Sequence, residues 1–235
     1  MNRSLTKGTL FACAVLNATT AYSADLPQRS NPPNVYKALP GQPYDWTGFY
    51  AGVNAGYDWG RSHWSDPVVG ANSGPFNTSG GLLGGQLGYN WQLDAAVLGI
   101  ETDIDWMNVN GSTAGIGGVC AADGGGFCQT QQSWIGTTRA RAGYAFGRVL
   151  PYVTGGVAYG NIQAVQPSGT TSGINAGWTV GGGVELGIDR NWSAKAEYLH
   201  IDLGTASFVG FASGTSTLNV KATNDLVRAG INYHW

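Results

Sequence analysis

The final segment, Asn224 to Trp235 (NDLVRAGINYHW), constrains the fold more than any other stretch of this chain. Counted back in steps of two, Trp235, Tyr233, Ile231, Ala229 and Val227 share one side, and His234, Asn232, Gly230 and Arg228 share the other. Side chains of a strand alternate between faces, so this segment reads as a strand with one apolar and one polar face. An aromatic terminus at the edge of an apolar stripe fits a face turned to lipid, with the ring at the membrane interface. In lipid the backbone groups of a strand need partners along both edges. The last strand must therefore close onto the first, and the rest of the chain must supply the strands between.

The same alternation recurs along the chain. From Phe49 to Gly60, Phe49, Ala51, Val53, Ala55, Tyr57 and Trp59 oppose Tyr50, Gly52, Asn54, Gly56 and Asp58. Leu83, Leu87, Tyr89 and Trp91 then oppose Gln86, Gly88 and Asn90, and Leu98, Ile100, Ile104 and Trp106 oppose Glu101, Asp103 and Asp105. A fourth strand sets Trp134, Ala140, Ala142 and Tyr144 against Thr137, Arg139 and Arg141; a fifth sets Val153, Val157 and Tyr159 against Tyr152 and Thr154. Trp178, Val180, Val184, Leu186 and Ile188 oppose Thr179 and Glu185, and Trp192, Ala194, Ala196 and Tyr198 oppose Lys195 and Glu197. With the terminal strand this makes eight, each of about 10 residues, long enough to span when tilted.

Tight turns at Gln92–Asp94, Gly147–Val149 and Asp189–Asn191 alternate with longer loops at about Arg61–Ser79, Asn110–Gln131, Gln166–Gly173 and Gly204–Thr215. The expected fold is all-β: a transmembrane, eight-stranded, antiparallel up-and-down β-barrel. Its address would be the outer membrane of a Gram-negative cell envelope, with turns and both termini periplasmic and four loops extracellular. A soluble sandwich also alternates, but does not need Trp or Tyr at so many strand ends.

Composition agrees. Only 11% of residues are charged, against roughly 25% in soluble domains, yet the mean hydropathy is just −0.10. No run approaches the roughly 20 apolar residues of a spanning helix. The aromatic content excludes intrinsic disorder, and the lack of a large basic patch excludes nucleic acid as a partner.

Residues 1–23 read as an export signal: Arg3 and Lys7 precede the apolar run Gly8–Leu16, and Ala21-Tyr22-Ser23 has the spacing of a cleavage site. Its removal takes two positive charges away, so the formal net charge of −2 becomes −4. Residues 24–45 carry Pro27, Pro32, Pro33, Pro40 and Pro43 and read as a periplasmic linker, with contact to the cell wall as a second reading. The barrel itself is assigned to residues 46–235. Cys120 and Cys128 bracket a short Gly-rich span (CAADGGGFC), which in an exported protein favours a loop disulfide. Zinc would need about four ligands, and no histidine lies nearby.

The inward positions carry nearly all the strand charge: Glu101, Asp103, Asp105, Arg139, Arg141, Glu185, Lys195, Glu197 and Arg228. Opposite charges on adjacent strands can pair across the ladder, and buried charges persist only when paired. Eight strands enclose a space just wide enough for side chains, so these nine residues are expected to form a plug. Inward glycines (Gly52, Gly56, Gly84, Gly88, Gly181, Gly183) leave local room and keep a narrow diffusion path as the alternative.

Four segments carry a family resemblance: YDWTGFYAGVNAGYDWG (44–60), RARAGYAFGRVLPYVTGGVAYG (139–160), KAEYLHIDLG (195–204) and the terminal VRAGINYHW. They resemble the small outer-membrane β-barrel family of alphaproteobacteria, which includes porin-like surface antigens and haemin-binding outer-membrane proteins. The ADLP sequence at Ala24 is similar to the mature start of that family, and His200 stands where the resemblance leads one to expect Tyr. The resemblance implies insertion by the barrel-assembly machinery, which reads the terminal aromatic signal of Ile231, Tyr233 and Trp235, here with Trp in place of the commoner Phe. Outer-membrane lipid and lipopolysaccharide are the implied surroundings.

Three functions remain: a surface barrel acting through its loops, a small porin-like channel, and a haemin-binding protein. No cofactor is expected. Haem capture would need His or Tyr ligands, and His63, beside Trp64, is the only loop histidine. An enzyme would need a base, a nucleophile and an orienting acid on one atom. His63-Trp64-Ser65-Asp66 and the pair His200 and Asp202 hold such residue types but match no motif, so no catalysis is expected.

Overall fold

In the computed structural model, residues 44–68, 70–114, 126–167, 169–209 and 217–235 are described. The expected signal, residues 24–43 of the linker and Cys120 lie outside them. Eight strands form one closed antiparallel barrel: β1 (Gly48–Asp66), β2 (Ala71–Leu93), β3 (Ala96–Ala114), β4 (Phe127–Tyr144), β5 (Val149–Gln166), β6 (Gly169–Gly187), β7 (Trp192–Val209) and β8 (Thr217–His234). β8 pairs back onto β1 from Tyr50 against His234 to Ser65 against Asn219, which removes the free edges.

The short turns at one end have local causes. Between β2 and β3, Asp94 adopts φ 55°, a left-handed position that Asp tolerates, and Gly147 at φ 63° serves the β4–β5 turn. Between β6 and β7 the Asp189 carboxylate accepts the backbone N–H groups of Asn191 and Trp192, both at 2.8 Å. Those two amides hold its carboxyl below the usual carboxylate range.

At the other end the structure corrects the expected lengths. The strands run for 18 to 23 residues, not about 10. Most of the span read as a loop from Arg61 to Ser79 is strand: Arg61 pairs with Asn77 and Asp66 with Ala71. β3 likewise continues to Ala114, β4 begins at Phe127, β6 at Gly169, and β7 continues to Val209. A search for apolar residues on the outer face stops where lipid stops, whereas pairing continues because the alternation survives with its sign reversed.

The outer wall marks where that happens. Exposed Phe49, Trp91, Tyr144, Trp192 and Trp235 ring the turn end, with Phe49 against the half-buried Tyr89 at 4.6 Å between ring centroids. Exposed Tyr57, Trp59, Trp106, Trp178 and Tyr198 form a second belt farther along the strands. Between the belts the wall is Val, Leu, Ile and Ala, as a lipid-facing band requires.

Candidate functional site: the filled lumen

Below the second belt the lumen holds all nine charged side chains, none more than 3% exposed. Their ladder positions are β3 (Glu101, Asp103, Asp105), β4 (Arg139, Arg141), β6 (Glu185), β7 (Lys195, Glu197) and β8 (Arg228). Arg139 faces Glu101 in the register and reaches it at 2.6 Å; it also reaches Asp103 at 2.8 Å and, across the lumen, Glu197 at 3.0 Å. Arg228 bridges Asp105 at 2.6 Å, Asp103 at 2.9 Å and Glu197 at 2.8 Å.

Neighbouring strands do not account for every pair. Lys195 lies opposite Glu185 in the ladder, yet its ammonium reaches Glu101 at 2.8 Å. Glu185 is taken instead by Arg141 at 2.7 Å. A guanidinium presents several donors in a fixed fork, so one arginine can satisfy carboxylates from two walls at once.

Polar residues that the charge pattern did not single out complete the network. Tyr50 Oη donates to Glu101 at 2.7 Å and accepts from Arg141 at 3.0 Å, while Tyr152 Oη donates to Glu197 at 2.8 Å. The Arg141 guanidinium lies 4.0 Å from the Tyr152 ring centroid. Glu185 also accepts Ser193 Oγ and, at 2.7 Å, Asn232 Nδ2. Asp58, higher on β1, accepts Asn224 Nδ2 at 2.9 Å. Inward position alone was the signal for these residues. The room beside the inward glycines is occupied by neighbouring atoms. A Cβ on Gly88 would meet the Tyr50 ring, and one on Gly183 would meet Tyr152 Oη.

Above the belt the lumen changes character. Trp64, Leu82, Met107, Val109, Ile135, Ile162, Leu199, Ile201, Leu203, Leu218 and Leu226 pack there as one buried cluster. Its polar atoms are tied off: Trp64 Nε1 donates to Thr130 Oγ1 at 2.7 Å, and Thr130 contacts Ser62 at 2.7 Å. The turn end is closed as well. Trp46, fully buried, donates its backbone N–H to Gln92 Oε1 at 2.8 Å and its Nε1–H to the Gly147 carbonyl at 3.3 Å. Tyr44 packs on Trp46, with 4.5 Å between centroids, and burial pushes its hydroxyl up to about 12. Tyr44, read as part of the linker, is thus buried in the barrel mouth beside Trp46, with Asp45 exposed between them.

The other candidates separate. His63 lies on β1 rather than in a loop, and it faces away from buried Trp64, so the two share no pocket. Asp66 is also buried while Ser65 lies on the face of His63, which splits the His63–Asp66 set between two sides of the wall. His200 does find an acid, but not its sequence neighbour: its Nδ1 lies 2.8 Å from Asp225 Oδ1, its partner in the β7–β8 register. Asp202 instead faces Lys221 at 3.6 Å. Cys128 is buried and disulfide-bonded. Ile231 and Tyr233 lie on the outer face of β8 and exposed Trp235 follows it, with Tyr233 against Trp192 at 5.1 Å.

The outer membrane protein β-barrel domain model matches residues 11–234. The chain is 39% identical to the 31 kDa outer-membrane immunogenic protein of Brucella melitensis biotype 1, over 95% of this chain and 97% of that protein. It is 29% identical to the 25 kDa outer-membrane immunogenic protein of Brucella abortus biovar 1, over 92% and 91% respectively. To the 22 kDa outer membrane protein of Rhizobium leguminosarum bv. viciae it is 31% identical, over 67% and 64%. A closed eight-stranded ring with a lipid-facing band, matched along nearly its whole length, places the chain in the outer-membrane β-barrel family of alphaproteobacteria.

Proposed function

We propose that this outer-membrane barrel is a sealed surface protein that works through its extracellular end rather than through its lumen. The observation that carries this reading is the buried network: nine charged side chains, at most 3% exposed, bonded to one another across the barrel. A water path would solvate such groups. Burial behind Trp46 on one side and the apolar cluster on the other leaves them dry. The tight turns and both described chain ends at one rim support a periplasmic placement for that rim. The long strand ends and their connections are then the surface offered outside, in keeping with relatives described as immunogenic. Ile231, Tyr233 and Trp235 are the segment we assign to recognition by the barrel-assembly machinery.

Single-channel recording of refolded protein in a planar bilayer tests the seal. The expected result is a quiet membrane with insertion verified. Stable steps that scale with salt would replace this reading with a small porin-like channel.

A further inference from the structure

We propose that the outer wall of β1, β7 and β8, just above the second aromatic belt, binds the phosphorylated headgroup of an outer-leaflet glycolipid. The proposal rests on the membrane placement given above. Arg61 and Lys221 are the only Lys or Arg side chains among the described residues that face outward between that belt and the far strand ends. They do not scatter around the barrel. Arg61 pairs with Thr223, and His63 with Lys221, so both cations and a histidine sit on one two-strand seam. His200 stands beside it on β7.

A groove of about 640 Å³ opens there, lined by Tyr57, Trp59, Arg61, Asn77, His200 and Asp225. Its floor is the aromatic belt, where the acyl region of a lipid gives way to its headgroup. Aromatic faces suit the apolar faces of sugar rings, and a guanidinium matches the oxygens of a phosphate.

Two carboxylates share the seam, and both are engaged by the protein. Asp225 Oδ1 accepts Tyr198 Oη at 2.6 Å and faces His200 Nδ1 at 2.8 Å. Trp178 lies against the imidazole, 5.4 Å between centroids. With Nδ1–H given to Asp225, His200 is held in one orientation and keeps Nε2 for another partner. Asp202 accepts the Gly204 N–H at 2.7 Å and faces Lys221 at 3.6 Å, an exposed pair of little net strength. Arg61 makes no ion pair among the described residues. Arg61 lies within electrostatic reach of Asp225 but outside ion-pair distance, which leaves its guanidinium for a ligand, with Lys221 on the same seam.

The test uses full-length refolded protein in detergent micelles, with bisphosphorylated lipid A as probe and native mass spectrometry as readout. Lipid A stripped of its phosphates and inorganic phosphate alone are the comparison arms. The expected result is retention of bisphosphorylated lipid A, weakened about tenfold when Arg61→Ala and Lys221→Ala are combined. Arg61→Lys should recover part of that loss, and the heat-modified gel mobility of each variant verifies its fold. Equal retention of the phosphate-free lipid, or no change in the double variant, would overturn the proposal. Inorganic phosphate that displaces the lipid at comparable concentration would assign the groove to free phosphate instead. Conductance does not depend on this seam, so failure here leaves the sealed-lumen reading standing.

Discussion

β7 passes through two different proteins. Along its first half Lys195 and Glu197 point inward while Ala194, Ala196 and Tyr198 point out. Past Tyr198 the arrangement reverses: Leu199, Ile201 and Leu203 are buried inside, and His200 and Asp202 face out. β8 repeats this, with Asn232 and Arg228 buried in the first layer and Leu218, Val220 and Leu226 in the second. The β7–β8 ladder runs unbroken from Trp192 through Asp202 and shifts register only beyond it, between Asp202 and Thr205, so the strand itself does not set the difference at Tyr198. What lies outside the wall sets it. Against lipid an apolar outer face costs nothing, and the polar residues go inside, where they must satisfy one another. Above the lipid the wall meets water, and the same barrel buries apolar side chains as any soluble barrel does.

That contrast can be broken from either side. The largest effect is expected in the lower layer, where Arg139→Ala leaves Glu101, Asp103 and Glu197 short of a buried cation. The loss should be about 3–5 kcal/mol, read as a lower temperature at which the folded band disappears on a gel. Unchanged heat resistance would mean that the lower layer is hydrated. In the upper layer Ile201→Ala removes a fully buried side chain and should cost about 2–4 kcal/mol. An effect near zero would mean that the upper barrel is loosely packed and that stability resides below the belt. The smallest change is expected on the outer face next to it. Asp202→Ala loses the Lys221 ion pair and one hydrogen bond from the Gly204 N–H and should cost at most about 1.5 kcal/mol in the same assay. A larger loss would show that the outer face above the belt has structure of its own.

The lower layer was the readable half. Alternation around Glu101, Arg139 and Glu197 names the inward charges residue by residue, because side-chain direction in a strand follows from a local period of two. The same reading failed above the belt for a physical reason. A search for apolar residues on the outer face makes Arg61 and His63 the start of a loop, whereas they lie on strand that has left the lipid. Trp46 falls within the residues assigned to the barrel, but its insertion into the mouth is not legible, because nothing local marks an aromatic just ahead of β1 as a partner of Gln92 and Gly147.

The sequence by itself determined the closed eight-stranded wall, the membrane address and which charges face inward, since each follows from periodicity and from the need of backbone in lipid for partners. Only the tertiary structure decided which charges meet. Lys195 passes over its ladder neighbour Glu185 for Glu101, and His200 takes Asp225 rather than nearby Asp202. Those choices depend on the stagger of all eight strands and the width of the lumen they enclose, and neither quantity resides in any one segment of the chain.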